Sequence, residues 1–153
     1  MGELTIREMG QNEDFSAWYW EHLEEELAQE GASDEVDQHY LILSNEIGDW
    51  VGGLRYWLRG GVAHLMDIMV LPGERHQGHA HRLLSAFDER AIESGAHLAE
   101  FWTDDLRSEG LLAALGWHCI FRRDNYIGGK SWALMEKRLQ DSQPEARPNI
   151  LDS

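Results

Sequence analysis

The residues with the clearest chemical potential lie between His64 and Arg82. Ala63 to Val70 reads as a buried strand. Leu71-Pro72-Gly73-Glu74 reads as a turn. Arg75-His76-Gln77-Gly78-His79-Ala80 then fits the pattern R-x-x-G-x-A and opens an amphipathic helix. A strand that feeds a helix through small residues leaves backbone N–H groups unpaired. Those groups, with the positive end of the helix dipole, form an anion site. Gly78 and Ala80 let a phosphate approach the backbone. His81 and Arg82 fall in the first helical turn, and His76, His79 and His81 add donors that are cationic only when protonated. Neither G-x-x-x-x-G-K-S/T nor G-x-G-x-x-G occurs, so this is not a nucleotide-hydrolase or dinucleotide loop. The three clustered histidines lack a cysteine or a second carboxylate cluster at ligand spacing, and no metal site is expected.

The elements that must hold this loop can be read by periodicity. Leu4 and Ile6 alternate with polar residues and predict a first strand. Asn12 or Asp14 can cap a helix in which Phe15, Trp18, Tyr19, His22, Leu23 and Leu27 recur at helical spacing, ended by Gly31. Tyr40 to Leu43, Trp50 to Leu58 and Val62 to Val70 predict three strands. The last two are joined at Arg59-Gly60-Gly61. A helix from His79 to Glu93 turns Leu83, Leu84, Phe87 and Ile92 inward, and Gly95 stops it. His97 to Thr103 is a strand, and Asp105 to Leu115 a short helix. Trp117 to Tyr126 and Lys130 to Leu139 form a hairpin about Ile127-Gly128-Gly129. Residues 1–139 are expected to be one domain. Residues 140–153, with two prolines and few large apolar residues, are expected to be a disordered tail.

The loop resembles the pyrophosphate-binding motif of the GNAT superfamily of acyl-coenzyme A-dependent N-acyltransferases. That motif, Q/R-x-x-G-x-G/A, follows a strand of pattern apolar-x-Val-x-Pro, and Ile68, Val70 and Pro72 stand at those positions. Leu115-Gly116-Trp117 resembles the family's helix-ending Leu-Gly-aromatic step, and Met135 to Leu139 resembles the end of its last strand. The resemblance covers roughly residues 3 to 139. It implies an α/β fold with a central mixed sheet of about seven strands flanked by helices. It also implies a splayed strand pair that holds acetyl-coenzyme A as co-substrate.

The resemblance also assigns roles. Arg75, His76, Gln77, Gly78, His79, Ala80, His81 and Arg82 would hold the pyrophosphate. The backbone of Ile68 and Val70 would bind the pantetheine arm. His64 stands eleven residues before Arg75, where some members carry a catalytic Glu or His. A neutral imidazole, with an ordinary pKa near ~6.5, suits proton abstraction near neutral pH, directly or through a water. Strand alternation places His64 on the face of Met66, Ile68 and Val70. A histidine satisfied by a backbone carbonyl is the competing reading. Many members carry a tyrosine acid four residues before the glycine of the Leu-Gly-aromatic step. Here Leu112 stands there, and Leu111 and Ala113 beside it are equally inert. Solvent can protonate the leaving thiolate instead, with Ser108 and Tyr126 as the conceivable substitutes. Asp105 replaces the usual Asn and cannot donate as an amide does. Cys119 reads as a core residue rather than a nucleophile. Trp18, Tyr19 and Trp20 could line a pocket, with Trp18 more often core. Glu100, Asp104 and Asp105 could hold a cationic amine, although a solvated loop is the more common role for such residues.

Composition bounds these readings. The chain has 153 residues and is 42% hydrophobic, enough for one sizeable core. No apolar run is long enough to span a bilayer. The single cysteine suits a reducing cytoplasm. Net charge is −15, and residues 1–60 carry 14 acids against 3 bases. That balance argues against nucleic acid and favours a cationic small-molecule amine by steering, unless it serves solubility alone. Transfer to a protein N-terminus or lysine stays open. So does a non-catalytic acyl-coenzyme A-binding module, and so does a homodimer or partner contact through Trp20 and Trp50.

Overall fold

The computed structural model describes residues 4–30 and 36–140. They fall into two compact units, within residues 1–34 and 35–153. The first unit is one helix, α1 (Glu13–Glu30). Asn12 caps it: its Oδ1 accepts the Phe15 N–H at 2.9 Å, and its carbonyl accepts the Ser16 N–H. The aromatic stripe forms, with Phe15 and Trp18 rings 5.5 Å apart and Trp18 and His22 4.7 Å apart. Trp18 is exposed rather than core. The strand predicted at Leu4 and Ile6 does not form, and both side chains are fully exposed. Two alternating apolar residues are too short a pattern to specify a strand without a ladder partner. Gly31 and residues 141–153 lie outside the described residues.

Among the described residues the second unit is built on a six-stranded sheet, one strand fewer than the seven or so that the resemblance implies. Its strands are β1 (Asp37–Ser44), β2 (Trp50–Arg59), β3 (Val62–Val70), β4 (Leu98–Thr103), β5 (His118–Arg123) and β6 (Trp132–Arg138), in the spatial order β1-β2-β3-β4-β6-β5. All neighbours are antiparallel except β3 and β4. A parallel pair needs a crossover, and α2 (His79–Glu93) supplies it. The β2–β3 hairpin closes on Gly60 and Gly61, at φ 56° and 86°. A two-residue turn with both φ positive matches the twist of the strands, which is why two glycines stand there.

The core lies on the α2 face of the sheet. Leu83, Leu84, Phe87 and Ala91 are its helical contribution. Phe87 packs edge-on to Tyr56 at 5.2 Å and stacks near Trp117 at 6.2 Å. Ile92, predicted inward, is 40% exposed, and Ala91 takes the inward place. Residues 84, 87 and 91 follow one stripe of the helix, and 92 is a further 100° round. Cys119, predicted core, is an exposed free thiol on edge strand β5. The Gln140 side-chain amide donates to the Ala96 carbonyl at 3.0 Å.

Candidate active site

The central parallel pair opens. β3 pairs with β4 only at Val62–Leu98, Ala63–Ala99 and His64–Glu100, yet β3 runs on to Val70 and β4 to Thr103. Beyond His64 the β4-facing edge of β3 therefore has no ladder partner. A bulge lies in the same stretch: Tyr56 opposes Leu65 and Arg55 opposes Asp67, which leaves Met66 as an extra residue. One inserted residue inverts the alternation. Leu65 before the bulge and Ile68 and Val70 after it thus all face the core. His64 faces the other way, with its cross-strand neighbours Trp57 and Glu100. The expected common face of His64 with Ile68 and Val70 is corrected accordingly.

The loop between β3 and α2 is tightly tethered. The Leu71 N–H donates to the Val51 carbonyl at 3.0 Å, and Pro72–Glu74 makes one 3₁₀ turn. Arg75 folds back, its Nε donating to the Val70 carbonyl at 3.1 Å. Gly78 is the N-cap of α2 at φ 80°, ψ 11°, and a Cβ built there would meet nothing within 4 Å. Conformation and open approach, rather than crowding, call for glycine. The first intrahelical bond is Arg82 N–H to Gly78 O, at 3.1 Å. The N–H groups of His79, Ala80 and His81 precede it and are free for an anion.

Ile68, Val70, Arg75, His76, Gly78, His79, Ala80 and His81 line one cleft of about 450 Å³, closed on its far side by α3 (Leu106–Ala114). Gln77 and Arg82 do not line it. They open on a neighbouring cleft of about 630 Å³. Glu74 borders both and lies 3.8 Å from Nε2 of His79, whose Nδ1 is buried with no hydrogen-bond partner. Outward N–H groups, an orphaned imidazole nitrogen and open space at Gly78 fit a bound diphosphate. Gly78→Asp adds a negative charge beside that position and strains a left-handed backbone. Calorimetry should then show acetyl-coenzyme A bound at least about tenfold more weakly, or ~1.4 kcal/mol. Unchanged affinity in a folded variant would remove the loop from the binding site.

On α3 the structure redistributes the expected roles. Asp105 is the helix N-cap: Oδ1 accepts the Arg107 N–H at 3.1 Å and Oδ2 accepts the Ser108 hydroxyl at 3.0 Å. The Ser108 hydrogen bond, then that from Arg107, holds its carboxyl below the usual aspartate range. Leu112, where the family resemblance would place an acid, is 1% exposed in the core, while Ser108 and Leu111 border the cleft. Tyr126 lies away from that cleft, near Trp102 at 5.9 Å and Trp132 at 6.4 Å, with Arg123 above its ring at 5.2 Å.

His64 lines a separate cleft of about 300 Å³ with Met66, Glu100, Trp102, Trp132 and Leu134. Its Nδ1 is 3.6 Å from Glu100 Oε1. Of the other two carboxylates expected to hold an amine, Asp104 is paired with Lys130 at 3.3 Å and Asp105 caps α3. Trp102 and Trp132 were missed by sequence reasoning, although polar–apolar alternation along the last hairpin could have marked Trp132. The loop cleft and the His64 cleft are lined by consecutive stretches of β3.

The chain belongs to the acetyltransferase (GNAT) family, whose pattern matches residues 6–117. It is accordingly an acyltransferase that uses acetyl-coenzyme A. Solved structures agree in fold. An acetyltransferase from Bacillus cereus ATCC 14579 is 18% identical with a TM-score of 0.74, covering 88% of this chain and 97% of that one. The ribosomal-protein-S18-alanine N-acetyltransferase of Escherichia coli is 18% identical with a TM-score of 0.63, covering 70% and 72%. An aminoglycoside 6'-N-acetyltransferase complexed with coenzyme A is 13% identical with a TM-score of 0.60, covering 69% and 75%. No curated protein matches the chain significantly. Among the described residues, no helix is long and apolar enough to cross a membrane.

Proposed function

We propose that this enzyme acetylates the primary amine of a small cationic molecule, with His64 as general base. The observation that carries the reading is the position of His64. It stands at the last rung before β3 and β4 part, in its own cleft and paired with Glu100, next to the loop cleft. Bound acetyl-coenzyme A supplies an acetyl thioester. The N–H groups of His79, Ala80 and His81 hold the diphosphate. The unpaired edge of β3 about Ile68 and Val70 offers peptide groups to an amide-bearing arm. The unprotonated imidazole of His64 takes a proton from the attacking ammonium. Holding both reactants at one opening in the sheet supplies much of the remaining rate.

The proton returned to the coenzyme A sulfur comes from solvent in this reading. Leu112 is buried, the Ser108 hydroxyl is committed to Asp105, and Tyr126 packs against Trp102 and Trp132 without lining either cleft. A thiol of ordinary pKa near ~8.5 is a tolerable leaving group. A reducing, cytoplasmic setting suits the lone free thiol of Cys119.

The test is thiol release from acetyl-coenzyme A with a panel of primary amines that includes basic peptides. Release above hydrolysis with a small amine is the expected result, and its absence with every small amine would overturn the proposal. Preference for the peptides would move the acceptor to a protein amine. In the same assay Ser108→Ala and Tyr126→Phe should each cost less than about tenfold in kcat. A hundredfold loss in either folded variant would identify a substitute acid.

A further inference from the structure

We propose that the His64 cleft selects a compact monoamine, one ammonium on an aromatic or apolar body, over polyamines and aminoglycosides. The inference rests on His64 as the base and narrows the acceptor class. Net charge of −15 attracts every cation, so it cannot choose among them. The cleft itself must choose. Among the described residues its lining holds one carboxylate, Glu100. Asp104 is neutralised by Lys130, and Asp105 is occupied in capping α3. Glu136, across from Glu100 on β6, is not part of the lining. One anion can serve one ammonium. A second or third ammonium would lie against Met66, Trp102, Trp132 and Leu134 and lose its hydration without a counter-charge.

The same wall favours an apolar body. The Trp132 indole is fixed by its Nε1–H donating to the Ile127 carbonyl at 3.0 Å and by the Tyr126 ring edge-on at 6.4 Å. Trp102 is held between Tyr126 at 5.9 Å and Phe121 at 6.2 Å. Aromatic surface that is exposed yet held in place is a preformed recognition surface. A volume of about 300 Å³ stands at the small end of ligand pockets, which excludes a multi-ring sugar more easily than a single ring. The ammonium held at Glu100 is next to His64 Nδ1's side of the pair. One ammonium proton passes to the imidazole, the N–C bond forms, the tetrahedral nitrogen gives its second proton to solvent, the C–S bond breaks, and solvent protonates the sulfur.

The experiment compares 2-phenylethylamine, spermidine and kanamycin as acceptors, with binding of each measured by calorimetry. 2-Phenylethylamine should show kcat/KM at least about tenfold above the other two. Trp132→Ala should erase that advantage and weaken 2-phenylethylamine binding, and Trp132→Phe should restore most of both. Equal or better kcat/KM for spermidine or kanamycin would overturn the inference, as would an advantage unchanged in Trp132→Ala. Trp132-dependent binding of 2-phenylethylamine without thiol release would support the cleft's selectivity while overturning the transfer reading. Neither binding nor release would overturn both.

Discussion

His64→Ala should lower kcat about a hundredfold near neutral pH, while acetyl-coenzyme A affinity stays nearly intact. The separation of effects follows from geometry. His64 borders the 300 Å³ cleft and does not line the 450 Å³ cleft that holds the anion loop. Its side chain is only partly buried, so its removal leaves no large cavity in the core. Glu100 lies 3.6 Å from its Nδ1, which sets the imidazole beside the carboxylate that would hold the substrate ammonium. Steady-state kinetics with the best amine, and calorimetry with acetyl-coenzyme A, would check both points. If kcat holds, His64 is an ordinary sheet residue and an ordered water serves as the base.

Much of the scaffold was legible because its signals are local. β3 and α2 fall at the bounds read from sequence, since an apolar run ending in Leu-Pro-Gly and a 3.6-residue stripe after Gly78 leave little freedom. The turn and helix start at Pro72–Gly78 were legible for the same reason. What the sequence hid is non-local. The bulge at Met66 adds one residue to one strand and leaves no mark in composition, so period-2 reasoning failed across it and put His64 on the wrong face. The pairings of His64 with Glu100 and of Asp104 with Lys130 join different elements far apart in sequence. They decide which carboxylate is available, and only register reveals them. Ile92 failed differently: it is the larger side chain, but Ala91 is in phase with Leu84 and Phe87.

Position 112 shows the same limit, and its test has a large expected effect on stability. Counting back from Gly116 picks Leu112 as the place for an acid, yet its side chain packs in the core cluster with Phe87, Trp117 and Met135. Its carbonyl also ends the helix, accepting the Leu115 N–H at 2.9 Å and the Trp117 N–H at 3.0 Å. A filled site resists change in both directions. Leu112→Ala should cost about 2–5 kcal/mol by opening a cavity. Leu112→Tyr should cost about 1–3 kcal/mol by overpacking and by burying a hydroxyl without a ready partner. For a chain of 153 residues, each kcal/mol is worth roughly 2–4 °C in Tm. Thermal melting of both variants distinguishes the two geometries. A side chain that reached the cleft would tolerate alanine and tyrosine alike. A Leu112→Tyr variant that melts like the parent and turns over faster would put position 112 at the reaction centre, and would give the enzyme the acid that solvent is taken to replace.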